Sequence, residues 1–370
     1  SRTVDPSVAR RLTSGSFSDD DTMSCVDEVS FPRGMARQYM FVFQDVDDRE
    51  LDASRFKLEW GEFEDYAVNY DVMLGQGAYG EVYKATHKPT DSECVVKTIK
   101  VDKESVLKLK QEIMMLERVK GGPCIVEYMG LVRNPDDDTK LIVFEFVNNP
   151  NYKESFRDMT DLDARWYLFR VLKGLDYAHS LGVIHRDIKG GNICYDPITK
   201  KLRIIDWGFG VHYVPSRPFT SWPGTRPYKA PELFLHYSYY DYSVDVWAFA
   251  CLMGSLIFRR TLFRSKDNRH QMELIARALG TASYERYLAK YARPPFKLVA
   301  KKYRHLGEPH MGRGGFQVYV SSKTPLANFE ALDIINKVLV WDHEKRPTAS
   351  ELIQHAYFDP VRHRDVNSSQ

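Results

Sequence analysis

Two short stretches hold the side chains best suited to chemistry. One runs His185-Arg186-Asp187-Ile188-Lys189-Gly190-Gly191-Asn192, the other Ile204-Ile205-Asp206-Trp207-Gly208. They supply two carboxylates, Asp187 and Asp206, with the Asn192 amide and the Lys189 ammonium. Phosphoryl transfer calls for that set. One carboxylate orients a hydroxyl and takes its proton, a second carboxylate and an amide hold magnesium, and a cation faces the charge that develops. Ile193-Cys194-Tyr195 reads as a strand, Asp196-Pro197 as a turn and residues 202–205 as a returning strand. Such a pair joins the two loops. Neither stretch is diagnostic alone; the two in this order, with strands between them, are.

Other elements must position this set. Residues 71–74 read as a strand, Gly75-Gln76-Gly77-Ala78-Tyr79-Gly80 as a glycine-rich loop and residues 81–85 as a second strand. Glycines let the backbone approach a phosphate without a Cβ in the way. In a dinucleotide-binding fold the same spacing opens a helix. Here Val82 and Tyr83 continue as strand, which favours a hairpin; an ordinary glycine-rich turn has the same composition. Cys94-Val95-Val96-Lys97 reads as a third strand, its lysine 22 residues after Gly75. Residues 103–119 carry Val106, Leu109, Ile113 and Leu116 at helical spacing. Glu112 in that helix is the candidate partner of Lys97; taken alone it is a solvated helix charge. Residues 141–144 read as a central strand, and Glu145-Phe146-Val147 as a link to a second lobe. Asp161 or Asp163 is expected to cap a long helix with Leu168, Val171, Leu172, Leu175 and Ala178 on one apolar face, ended by Gly182. Further helices are expected over 241–258 and 329–340, and a last one ending near His355.

A chain of 370 residues suffices for two lobes around a sizeable core. Its net charge of +2 gives no ground for a nucleic-acid or membrane partner. No run of about 18 apolar residues offers a membrane span, and no apolar stretch near residue 1 offers a signal peptide. The five cysteines are scattered and odd in number, which points to reduced thiols in an intracellular protein, cytoplasmic or nuclear, rather than to disulfides or zinc. Residues 1–34 read as a Ser- and Asp-rich disordered tail, 35–69 as an ordered arm with bulky apolar groups, and 361–370 as a short tail. Residues 290–304 hold six basic residues and no acid, which reads as a solvated basic face.

Residues 70–358 resemble a eukaryotic protein kinase, on the glycine loop, Lys97, the two chemical stretches and Ala230-Pro231-Glu232. Eight segments are similar to the catalytic subunit of casein kinase II: Glu59-Trp60-Gly61, Gly121-Gly122-Pro123, Val143-Phe144-Glu145, Val147-Asn148-Asn149, Leu175-Asp176-Tyr177, Asp206-Trp207-Gly208, Tyr240-Asp241-Tyr242-Ser243 and Ile257-Phe258-Arg259. Trp207, where most kinases carry Phe, discriminates best. The resemblance implies an α+β, bilobal kinase fold, with a small β-rich N-lobe over 70–147 and a larger, mostly helical C-lobe over 148–360. It implies ATP, with GTP as an alternative, and Mg2+. It also implies serine and threonine acceptors in acidic protein substrates, activity without loop phosphorylation, and a casein kinase II-type regulatory subunit as partner.

Site roles come with the same resemblance. Asp187, Lys189 and Asn192 are expected to be catalytic, and Asn192 and Asp206 to hold metal. Gly75, Gln76, Gly77, Ala78, Tyr79 and Gly80 are expected over the nucleotide phosphates, with Lys97 gripping them and Glu112 holding Lys97. Val82, Val95, Val126 and Cys194 would sandwich the base, Phe144 would close the pocket, and the main chain of Glu145 and Val147 would meet the base edge. Arg226 and Lys229 would read substrate acids, and Arg346 would pair with Glu232. The Trp207 indole N–H is expected to bond a nearby carbonyl and steady the metal loop. There are departures. Gly190-Gly191 stands where proline is usual after the lysine, which is expected to loosen the loop. Trp222 stands where an arginine is expected, and Asp102, Glu104, Ser105, Val106 and Leu107 thin the lysine-rich run before the helix. A kinase-shaped scaffold without catalysis is the alternative, and only Gly190-Gly191 favours it. A small-molecule kinase is disfavoured by the complete Ala-Pro-Glu segment.

Overall fold

β-Branched and aromatic residues recur through residues 66–99, and the chain answers with three consecutive antiparallel strands. The computed structural model describes residues 39, 42–43, 46–47 and 49–363, apart from 78–79, 100–102, 150–151, 216 and 292–314. The strands are β1 (Tyr66–Gly77), β2 (Gly80–His87), β3 (Ser92–Ile99), β4 (Tyr128–Arg133) and β5 (Lys140–Glu145), in the order β1-β2-β3-β5-β4. Val82 lies opposite Lys97, Lys97 opposite Ile142, and Val95 opposite Phe144. Cross-strand partners share a face, so Val82, Val95, Lys97 and Phe144 line one side of the sheet. Ala85, Cys94, Val96, Val132, Leu141 and Val143 form a small core on the other side. Helix α1 (Lys103–Val119) buries Leu109, Ile113, Met115 and Leu116, and packs on the Trp207–Phe209 turn.

The rest is mainly helical. The short α2 (Tyr152–Asp158) precedes α3 (Asp161–Ser180), and two small ribbons come next. In the first, β6 (Val183–Ile184) pairs with β9 (Val211–His212); in the second, β7 (Ile193–Tyr195) pairs with β8 (Leu202–Ile204). The helices continue with α4 (Pro231–Phe234), α5 (Ser243–Ile257), α6 (Asn268–Leu279), α7 (Thr281–Lys290), α8 (Phe329–Val338), α9 (Ala349–Ile353) and α10 (Asp359–Arg362). The mixed α+β class is as expected: a sheet first, helices after. The apolar face expected on α3 is buried throughout. Its cap differs from expectation. Thr160 is the N-cap and accepts from the Asp163 N–H, while the Asp163 carboxylate accepts from the Thr160 N–H. A hydroxyl and a carboxylate thus satisfy two end donors reciprocally. Helix α5 is apolar all round, buried along nearly its whole length, and its Asp245 carboxylate accepts the backbone N–H groups of His185 and Arg186 at 2.8 Å each. Arg346 and Glu232 form the expected pair, bidentate at 2.6 and 2.8 Å and fully buried.

The expected tail over 1–34, residues 364–370, Met40 and Phe41 of the arm, Ala78 and Tyr79 of the glycine loop, and residues 292–304 of the basic run lie outside the described residues. Parts of the described arm are packed, while Trp60 is exposed. Phe43 is buried against His212 at 4.8 Å between rings, and the Tyr39 hydroxyl donates to Asp176 at 3.1 Å.

Candidate active site

The stretch over residues 185–192 is held by α5 through Asp245 and is followed by the β7–β8 ribbon. Asp187 sits within it, its side chain 1% exposed. Its Oδ2 accepts from Lys189 Nζ at 2.6 Å and from Asn192 Nδ2 at 3.1 Å. Its Oδ1 accepts from the Thr225 N–H at 2.8 Å and the Thr225 hydroxyl at 2.6 Å. Lys189 Nζ also donates to Thr225 Oγ1 at 2.9 Å, closing a triangle. Asn192 Nδ2 further donates to the Asp187 carbonyl at 2.9 Å. Both bonds use the amide nitrogen and leave Oδ1 as the atom that can meet a cation.

The Ile205 N–H donates to the Asn192 carbonyl at 2.9 Å, so the ribbon carries the chain from Asn192 directly to Asp206. Asp206 takes a left-handed backbone, φ 62° and ψ 69°, and Arg186 beside Asp187 has φ 68°. Non-glycine residues in that region cost about 1–3 kcal/mol each and cluster where side chains must be aimed. Lys97 Nζ donates to Glu112 at 2.7 Å and to Asp206 at 3.3 Å, which joins β3, α1 and the metal loop. Burial opposes the Lys97 charge, but the two carboxylates outweigh it and hold its pKa above the usual lysine value. The Trp207 indole, fully buried, donates to the Ile204 carbonyl at 3.3 Å, as expected of it.

The glycine loop forms the expected hairpin between β1 and β2, with Gly77 opposite Gly80. A Cβ on Gly80 would lie 1.7 Å from the Thr98 carbonyl oxygen, so only glycine lets the hairpin close on β3. Val126 is buried, while Val82, Val95, Phe144, Val147 and Cys194 are partly exposed along the site. Burial pushes the Cys194 thiol up to about 12, so this wall is neutral and apolar. Glu145 turns its carboxylate to Lys201 and Arg203, each at 2.5 Å, and its backbone N–H donates to the Glu127 carbonyl at 3.1 Å, so that N–H is already used and does not face a base edge as expected. Burial raises the Glu145 pKa, yet the two cations outweigh it and hold it below the usual range.

Of the Gly190-Gly191 pair expected to loosen the loop, Gly190 is packed and Gly191 is exposed. Gly190 is buried in a 3-10 turn, Gly190–Asn192, and a Cβ there would lie 2.6 Å from two ring atoms of Tyr152 on α2. The aromatic ring occupies the space that proline would need. Of the expected substrate-binding pair, Arg226 is exposed and donates to the Lys266 carbonyl at 3.0 Å. Lys229 turns inward and donates to the Trp222 carbonyl at 2.5 Å. Thr225 was missed as a site residue: it is 38 positions from Asp187, and no spacing in the sequence connects them.

A family model for the protein kinase domain matches residues 68–358. The chain belongs to the protein kinase domain family. It is therefore a phosphotransferase of the protein kinase type, and such domains use ATP with Mg2+. The site fits both. Asn192 Oδ1 and the Asp206 carboxylate would hold the metal, an ion that needs few protein ligands because phosphate oxygens and water complete its shell. The metal would neutralise phosphate charge there. Lys97, which donates to Glu112, would be the cation for the remaining phosphates.

Proposed function

We propose that this kinase transfers the γ-phosphate of ATP to serine and threonine hydroxyls of proteins, in the manner of casein kinase II, and does so without prior phosphorylation of its own segment. The observation that carries this reading is the Asp187–Lys189–Thr225 triangle. Thr225 draws the segment to within hydrogen-bond reach of the catalytic carboxylate. A substrate main chain running along that wall lies close to Asp187, so a short serine or threonine hydroxyl reaches it, whereas a tyrosine hydroxyl overshoots. Asp187 orients the acceptor hydroxyl and takes its proton; Lys189 faces the charge that builds on the transferring group. Acid recognition rests on Arg226, the outward-facing member of the cation pair. GTP use, a casein kinase II-type regulatory subunit and residence in the cytoplasm or nucleus belong to the same reading. The four described cysteines form no disulfide among the described residues, which supports the intracellular part.

Radiolabelled phosphate incorporation tests it, with peptides that differ only in Ser, Thr or Tyr as acceptor, and with a small-molecule panel. Label is expected on Ser and Thr peptides and absent in an Asp187→Asn protein. Preference for Tyr or for small molecules overturns the assignment, and absence of label with every acceptor restores the scaffold alternative.

A further inference from the structure

The wall beside Asp187 has an unexpected chemistry. Residues 222–229 form a loop closed on itself, because Lys229 Nζ donates to the Trp222 carbonyl at 2.5 Å. The middle of that loop, Thr225, touches Asp187 at 2.6 Å. Whatever flanks an acceptor hydroxyl at Asp187 must therefore pass over this loop. Two of its residues are positioned away from charge recognition. The Lys229 ammonium lies over the Phe234 ring, 5.1 Å from its centroid, and burial, with Arg226 adding to it, lowers its pKa. A substrate carboxylate could reach it only by breaking the bond that closes the loop. Trp222, partly exposed, stacks on His236 with ring centroids 4.4 Å apart and planes 10° from parallel. Its indole N–H is already donated to the Tyr237 carbonyl at 3.3 Å, so the ring offers a surface and no free donor. His236 is held toward its neutral form by burial and by Lys229, which keeps the pair uncharged. Arg226 alone projects outward, tethered to Lys266 and Asn268.

We propose that this loop reads a residue flanking the phosphoacceptor as an apolar side chain packed on the Trp222–His236 pair, with acid recognition confined to the position that meets Arg226. The inference rests on the protein-kinase reading above and specifies its substrate class. An apolar contact of this size discriminates about tenfold or more in kcat/KM. An acid placed there would lose part of its hydration against two rings, and the loop's inward cation, Lys229, is already engaged by the Trp222 carbonyl.

A positional peptide library around a fixed serine, scanned on both sides with Leu, Phe, Asp and Lys, decides it. One flanking position is expected to favour Leu or Phe over Asp by about tenfold in kcat/KM. Trp222→Arg should reverse the preference at that same position, and His236→Ala, a change at an exposed residue, should weaken it without reversing it. Melting temperatures of both variants show whether each is folded, and His236→Ala keeps the test valid if Trp222→Arg is not. Acid preference at every flanking position in the parent protein overturns the inference while leaving the kinase reading intact. So does an unchanged profile in a folded Trp222→Arg or in His236→Ala. No incorporation into any peptide overturns both.

Discussion

Asp206 serves two neighbours at once: it faces the position where the metal would sit and it accepts from Lys97 at 3.3 Å. Replacing it with asparagine removes charge from both while keeping the shape. Asp206→Asn should retain the parent melting temperature within a few degrees and lose about 10²–10³-fold in kcat; near-parental turnover with magnesium would exclude it as a ligand. Thr225 allows a finer test. Thr225→Val keeps the volume and the backbone bond to Asp187 but deletes the hydroxyl that bridges Asp187 and Lys189. A charge-assisted bond of that kind is worth about 1.5–3 kcal/mol, so kcat should fall roughly tenfold to a hundredfold, with KM for ATP unchanged and Thr225→Ser restoring activity. A rise in KM for ATP instead would assign Thr225 to the nucleotide side. Asp187, Lys189, Asn192 and Asp206 could be named from the sequence because they sit in two stretches of fixed spacing, and the structure brings them near Lys97 and Glu112, which the family resemblance pointed to. Thr225 could not be, since it reaches the centre through folding and shares its segment with Thr220 and Ser221.

At the level of elements, length did not decide what was legible: the three-residue β7 and β8 were read from the sequence, while α6 and α7, of 12 and 10 residues, were not. β1, β2, β3, β5, α1, α3 and α8 were read from apolar runs or a helical apolar stripe, and α5 from its nearly continuous apolar run. β4 was missed because Gly130 interrupts it at a register shift against β5, and α2 because its seven residues bury only Phe156. That missed helix matters, for its Tyr152 ring covers Gly190. Gly190→Ala should strain the Gly190–Asn192 turn by about 1–3 kcal/mol and displace Asn192, lowering both melting temperature and kcat. Tyr152→Leu in the same chain should recover part of both; equal loss with or without Tyr152 would mean that the ring is not the obstacle. The β6–β9 ribbon makes a pH prediction. His212 is buried under Phe43, its Nδ1 has no hydrogen-bond partner among the described residues, and burial, with Arg118 adding to it, lowers its pKa to about 4. The folded protein therefore resists protonation that the unfolded chain accepts near the ordinary value of 6.5. Stability from this group is complete above pH 6.5 and falls as pH drops from there to about 4, by at most about 1.4 kcal/mol per pH unit. Urea midpoints at pH 7 and pH 5 should differ in the parent protein and differ less in His212→Phe; the same difference in both would assign the effect to other groups.

The whole molecule depends on whether its moving parts are joined when no phosphate is present, and Arg186 is where they join. Its backbone N–H is fixed by Asp245 of α5, its Nε donates to the Phe209 carbonyl at 2.6 Å in the metal loop, and its Nη1 donates to the Tyr240 hydroxyl at 2.7 Å. Tyr240 in turn donates to the Ser221 carbonyl at 2.8 Å and stacks on Phe219 with centroids 4.3 Å apart. Among the described residues no carboxylate meets the Arg186 guanidinium, so the joins made by this side chain are to neutral oxygens, beside the bonds from Thr225 to the Asp187 carboxylate. The family resemblance made the two-lobed plan legible, and Tyr240-Asp241-Tyr242-Ser243 was among the segments that carried it. The relay from Arg186 through Tyr240 to Ser221 was not legible, because it joins residues 54 and 19 positions apart by their folded geometry. If this relay replaces an added negative charge, phosphatase-treated protein should be as active as untreated protein. Tyr240→Phe removes one acceptor from Arg186 and one donor from Ser221 while keeping the stacked ring. Two hydrogen bonds of about 1 kcal/mol each correspond to a loss of about tenfold or more in kcat, with the melting temperature little changed and KM for ATP preserved. Treated protein that stays inert until Thr220, Ser221 or Thr225 carries phosphate would show that neutral oxygens are not enough, and a fully active Tyr240→Phe protein would show that the segment is held by something other than this tyrosine.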